Sequence, residues 1–141
     1  MQSKRFTRSF GLLKDVKSTG IPRVKIPIVG VLELIKWSLK RRCRFQVSGH
    51  SMTPELHHRD EVLAQLGASI DVGDVVVAKH PYKTGTLLIK VVAAFDDVGR
   101  VYLLGTNPEE STDSRMFGAI PTQLIIGRVT SRFEEMKPLS Q

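Results

Sequence analysis

Ser48-Gly49-His50-Ser51-Met52-Thr53-Pro54 follows a short strand-like run, Arg44–Val47, and is answered 39 positions later by Lys90, within Thr86-Leu87-Leu88-Ile89-Lys90-Val91-Val92-Ala93-Ala94. Gly49, two residues before Ser51, and Pro54, three after it, favour a sharp exposed turn. A serine is a weak nucleophile at neutral pH unless a placed base takes its proton. Every neighbour of Lys90 within three positions is apolar. In a strand Leu88, Lys90 and Val92 share one face, and an amine held on such a face loses hydration, which lowers its pKa. A lysine base active near neutral pH has its charged form disfavoured by roughly 4 kcal/mol. Burial supplies penalties of that size. A Ser–Lys dyad is a known variant of the serine-and-base arrangement. The plainer alternative is a turn serine and a lysine that snorkels from a strand edge.

From Arg44 onward, short apolar runs alternate with turn residues, the pattern of a mainly β domain. Strands are expected at Arg44–Val47, Glu61–Leu66, Asp74–His80, Thr86–Phe95, Arg100–Leu104 and Gln123–Phe133. Gly67, Gly73, Pro81, Gly85, Gly99 and Asn107-Pro108 punctuate them.

The blocks Val47-x-Gly49-x-Ser51-Met52-x-Pro54, Val72-Gly73-Asp74-Val75-Val76-Val77, Leu88-Ile89-Lys90 and Gly105-x-Asn107…Ser111-x-Asp113-Ser114-Arg115-x-x-Gly118 stand in that order. In this order they resemble the type I signal peptidase family from about Phe45 to Phe133, and within it most resemble the nickel-type superoxide dismutase maturation protease branch. The resemblance implies coiled β-sheets with a partly closed barrel, as in signal peptidases and repressor-type peptidases. It implies Ser51 as nucleophile and Lys90 as general base, with Gly49, Ser51 and Met52 shaping the turn and the oxyanion site. Asn107, Ser111, Asp113, Ser114 and Arg115 match the block that supports the lysine and the cleft. Ser111 and Ser114 are candidates to orient the Lys90 amine, and Asp113 and Arg115 to pair. Many relatives carry a serine two before the nucleophile; here that position is Gly49, and Ser48 lies one residue too early.

The function implied is a serine endopeptidase that removes an N-terminal propeptide from a precursor protein, a nickel superoxide dismutase on the branch resemblance, with any nickel belonging to the substrate. The alternatives are a general signal peptidase, a self-cleaving repressor or mutagenesis-type peptidase, and a non-enzymatic binding module with a basic arm. No cofactor and no metal are expected. His50, His57, His58 and His80 lack zinc-site spacing.

With 141 residues, the chain holds one domain and an arm. Residues 1–44 carry 12 Lys and Arg against Asp15 and Glu33, a net +10, while the remainder is at −3, giving the chain's +7. The divided charge suits an anionic surface or an acidic partner for the arm; no specific nucleic acid is expected. The division expected is a basic, disordered arm over 1–25, an amphipathic helix or interfacial segment over 26–43, the peptidase domain over 44–134 and a tail over 135–141. In the second segment Ile28, Val31, Leu32, Ile35 and Leu39 fall on one helical face. That stretch is too short for a membrane span, which needs about 20 apolar residues, but Trp37 and Lys40-Arg41-Arg42 suit a helix in contact with a membrane surface. The expected location is therefore cytoplasmic or peripheral to the membrane. Cys43 is the single cysteine, so no intramolecular disulfide forms.

Overall fold

The computed structural model describes residues 21, 23–38 and 42–133. Most of the basic arm, Leu39, Lys40, Arg41 and the tail expected over 135–141 lie outside the described residues.

Six strands carry the fold: β1 (Arg42–Gln46), β2 (Glu61–Leu66), β3 (Val75–Lys79), β4 (Leu87–Phe95), β5 (Val101–Leu104) and β6 (Ile125–Arg132). Each falls where a strand is expected, β2 at both its ends and the others within two residues. All neighbours pair antiparallel, in the order β1-β2-β6-β3-β4-β5. The mainly β class is as expected. The sheet is open rather than closed into a barrel. Register shifts at Leu63/Ala64, Val77/Ala78 and Val92/Ala94 bend and twist it, as bulges do.

The sheet is buried on both faces, which explains the near-continuous apolar runs of β3 and β4. Alternation sends Val75 and Val91 to one side and Val76 and Val92 to the other. On the first side they meet Val47, Met52, Leu56 and Val62. On the second they meet Val101, Leu103 and Ile120, with Phe117 and Leu124 packed outside. Each such side chain contributes about 1.5–3 kcal/mol when fully buried, and Val76, Val77, Val91 and Val92 are all 0 % exposed.

The chain before the first helix is part of this packing. Val24 is buried in the first cluster, with Ile21 and Ile26 against it. The Arg132 N–H donates to the Pro27 carbonyl at 2.9 Å and the Val29 N–H to the Arg132 carbonyl at 3.0 Å. Residues 21–25, assigned to the basic arm on composition, thus include core side chains that two flanking charges, Arg23 and Lys25, conceal from a composition count.

Helix α1 (Val31–Ser38) sits with its polarity reversed. Glu33 faces the protein, where its Oε2 accepts from Arg42 Nε at 3.2 Å and from Thr130 Oγ1 at 2.9 Å. Val31, Leu32 and Ile35 are exposed at 76 %, 64 % and 51 %. Among the described residues no helix is long and apolar enough to cross a membrane.

One detail of strand length positions the site. The last β4–β5 pair is Val91 with Leu104, so residues 87–90 of β4 run past the end of β5. Lys90 is the first residue beyond it.

Candidate active site

The chain leaves β1 through buried Val47 and turns at Gly49, whose φ of +83° lies in the region that favours glycine. The Gly49 N–H donates to His58 Nδ1 at 3.1 Å. Beyond it the backbone closes a tight loop: the Thr53 N–H and hydroxyl both donate to the His50 carbonyl, at 3.2 and 2.9 Å, and the Leu56 N–H donates to the Met52 carbonyl at 2.8 Å. Met52 and Leu56, 1 % and 0 % exposed, nail this loop to the core. The side chain of Met52 is therefore an anchor for the turn, and the residue also contributes to the lining of the cleft beside Ser51.

Ser51, held at the top of the loop, meets Lys90. The lysine Nζ donates to Ser51 Oγ at 2.6 Å. The ammonium side chain is buried, the whole residue being only 4 % exposed. Burial pushes its pKa down from 10.5 to about 8; the nearby Asp113 carboxylate draws it up, and the Arg115 guanidinium pushes it down. A hydroxyl and an amine at this separation can pass a proton directly once the amine is neutral.

The segment after β5 turns onto the serine loop. Asn107 clamps the serine loop: its N–H donates to the Ser51 carbonyl at 2.9 Å, and its Nδ2 to the His50 carbonyl and to Thr53 Oγ1, each at 3.1 Å. The Thr106 hydroxyl donates to the Thr53 carbonyl at 3.0 Å. Gly105 lies so close beneath that an added Cβ would come within 2.6 Å of the Ser51 carbonyl oxygen and 2.2 Å of Ser111 Oγ. No other residue fits there without moving one of the two loops.

Asp113 is the hub below. Its buried carboxylate accepts from Ser111 Oγ at 2.6 Å, from the Gly105 N–H at 2.8 Å, and from Arg115 through its backbone N–H and Nε at 3.0 Å and Nη2 at 2.5 Å. Burial alone would raise its pKa, but the bonds from Arg115, Ser111 and Gly105 outweigh it and hold the carboxyl below its ordinary value. The expected Asp113–Arg115 pair is present. Ser111 and Ser114, expected to orient the amine, are seen in other hydrogen bonds. Ser111 donates to Asp113, and Ser114, at the start of helix α2 (Ser114–Phe117), accepts the Leu103 N–H at 2.8 Å. In these bonds the two hydroxyls face Asp113 and β5, and it is the charge of Asp113 that acts on Lys90.

Beside Ser51 lies a cleft of about 300 Å³, lined by Phe45, Val47 and Ser48 from the β1 end and by Leu87 and Ile89 of β4. Ser48 thus belongs to the cleft wall despite its displaced position in the motif. Two further residues emerge only from the structure. Gly105 was visible as part of a motif but not as a contact, and His58 gave no signal beyond its ring. Among the described residues, no group of three or more His, Cys, Asp and Glu side chains is placed to hold a metal ion.

The sequence profile described as signal peptidase, peptidase S26, matches residues 24–96 and 97–134. Mitochondrial inner membrane protease subunit 1 of Xenopus tropicalis is 32 % identical over 120 residues, covering 67 % of this chain and 72 % of that protein. The Homo sapiens protein of the same name is 33 % identical over 116 residues, covering 66 % and 68 %. None of these names carries the nickel branch, so the resemblance stands at the level of the family. They also overturn the expected cytoplasmic or peripheral location, because relatives named for an inner membrane point to membrane association. The chain belongs to the signal peptidase family, peptidase S26, and is a serine peptidase.

Proposed function

We propose that Ser51 is the nucleophile and Lys90 the general base of an endopeptidase that trims an N-terminal extension from a precursor protein. The observation that carries this reading is the 2.6 Å contact between Lys90 Nζ and Ser51 Oγ, made by a lysine whose pKa is pushed to about 8.

The precursor enters extended, along residues 87–90 of β4, where the missing β5 partner leaves main-chain groups able to bind a strand. Neutral Lys90 takes the Ser51 proton as Oγ bonds to the scissile carbonyl carbon. The carbonyl π electrons move to oxygen, and the Ser51 backbone N–H faces the charge that develops there. Collapse of this tetrahedral species breaks the C–N bond, and Lys90 gives its proton to the departing amine. Water then attacks the acyl-enzyme, with Lys90 again the base, and returns Ser51. Asn107 fixes the serine loop, while Ser111, Asp113 and Arg115 fix the loop beneath it. Ser114 acts one step away, by holding the end of β5.

In this reading the peptidase domain is the sheet from β1 to β6 together with the 21–29 segment packed on it, and the exposed apolar side chains of α1 support membrane association of that helix. A nickel superoxide dismutase precursor is the specific substrate the branch resemblance suggests. The test is mass spectrometry of that precursor, and of a mitochondrial-type and a bacterial preprotein, incubated with wild-type, Ser51→Ala and Lys90→Ala chains. A single N-terminal truncation with wild type alone is expected, and which precursor is cut names the substrate. Cleavage that persists in Ser51→Ala, or none by any chain, defeats the reading.

A further inference from the structure

The turn between β3 and β4, residues 80–86, carries a histidine whose position the peptidase chemistry above does not use. His80 Nδ1 accepts two backbone N–H groups of its own turn, from Tyr82 at 3.0 Å and from Lys83 at 3.1 Å. The turn is closed at its ends by the His80 N–H donating to the Thr86 carbonyl at 2.9 Å and the Thr86 N–H to the Lys83 carbonyl at 3.2 Å. The imidazole packs on the ring of Phe117, 5.4 Å between centroids, and edge-on to Tyr82 at 6.5 Å. Its Nε2 is buried and has no hydrogen-bond partner.

These contacts fix the chemical state of the ring. Two donors converge on Nδ1, so Nδ1 carries a lone pair and the proton sits on Nε2. An imidazolium would set an N–H against two others. Burial, and the charge of Lys83, hold the pKa below its ordinary value and keep the ring in the accepting form.

The turn so held is a wall of the cleft. Gly85 and Leu87 line it together with Gln46 and Ser48, and the turn feeds directly into residues 87–90 of β4, which run past the end of β5. Phe117, packed against the ring, is two residues from Arg115 in the segment that braces Gly105 and Ser51. His80 therefore stands between the loop that faces the substrate and the loop that supports the nucleophile.

We propose that His80 is a positioning residue for substrate: as a neutral acceptor it sets the 80–86 turn so that Gly85 and Leu87 receive an apolar side chain of an extended peptide. The proposal rests on the proteolytic reading for its substrate, and on the turn geometry for its mechanism.

The experiment compares full-length wild type, His80→Ala and His80→Asn. Asparagine is chosen because its side-chain oxygen accepts from a backbone N–H two residues on in turns. In His80→Ala, exchange of the Tyr82 and Lys83 amides, followed by NMR without substrate, is expected to quicken about ten-fold as the turn opens locally. With a peptide cut by wild type, KM is expected to rise about five-fold with kcat little changed, the sign of lost binding rather than lost chemistry. His80→Asn should recover most of both. Unchanged amide exchange in His80→Ala overturns the proposal, as does faster exchange with unaltered KM, or a fall in kcat alone. A wild type that cleaves no peptide would defeat the proteolytic reading instead. Peptide affinity, measured in the same three chains, then takes the place of KM and decides the role of His80.

Discussion

Lys90 occupies a place that suits its neutral form better than its charged one. Its amine must be neutral to take a proton from Ser51, and its pKa lies at about 8. Activity should therefore rise with pH through about 8 and level off above, a single ionisation visible in kcat/KM of the free enzyme. Stability follows the same group with a definite sign. The folded pKa is below the unfolded 10.5, so the unfolded chain binds more protons between those values and stability rises with pH across that window. Below about 8 the full cost of the buried charge is present. Lys90→Met should accordingly abolish cleavage yet stabilise the protein by about 2 kcal/mol at pH 7, with the gain narrowing toward pH 10; urea denaturation at both pH values checks this. A loss of stability at pH 7 would mean that the Ser51 contact outweighs burial. At this scale the pairing of Ser51 with Lys90 was legible because a serine in a glycine–proline turn and a charge in an apolar strand are both anomalies. The roles of Ser111 and Ser114 were not, since a hydroxyl bonds to whichever partner is nearest, and Asp113 and the Leu103 N–H are set by tertiary contacts.

Strand ends and helix direction decide the rest. Six strands could be read from alternation and turn residues, but not that β5 stops at Leu104 and leaves Lys90 beside an open edge. Periodicity likewise identified the apolar face of α1 but not which way it points. The answer lies in Glu33, which is bonded inward to Arg42 and Thr130. The Arg42 side chain is only 7 % exposed, so removing its carboxylate partner leaves a buried cation less well compensated. Glu33→Ala should cost about 3 kcal/mol in urea denaturation and make α1 more open to limited proteolysis, with Glu33→Gln milder because its oxygen still accepts from Thr130. If α1 stays protected in Glu33→Ala, other contacts hold it.

Taken whole, the molecule is a sheet sandwiched between two apolar layers, and the chain before α1 helps to build one of them. Val24 packs with Val47, Met52, Leu56 and Val62, so Val24→Asp should destabilise by about 3 kcal/mol or more by placing an unpaired charge in that layer. Thermal unfolding checks it; a melting point within a few degrees of wild type would show that the 21–29 segment is dispensable. The division of charge between the two parts of the chain was readable from composition, whereas the docking of 21–29 needed the fold.

Gly105 carries the last consequence. With Gly105 pressed between the Ser51 carbonyl and Ser111, and with Thr106 and Asn107 bonded into the serine loop, stretches 53 and 57 residues apart are shaped against one another. Neither can drift in sequence alone. In chimeras assembled from this protein and its relatives, a crossover that brings in residues 48–54 from one parent and 105–115 from the other joins halves never fitted together, while one that carries both stretches from the same parent transplants an intact site. For exchange of sequence between family members, the heritable unit is the pair of loops.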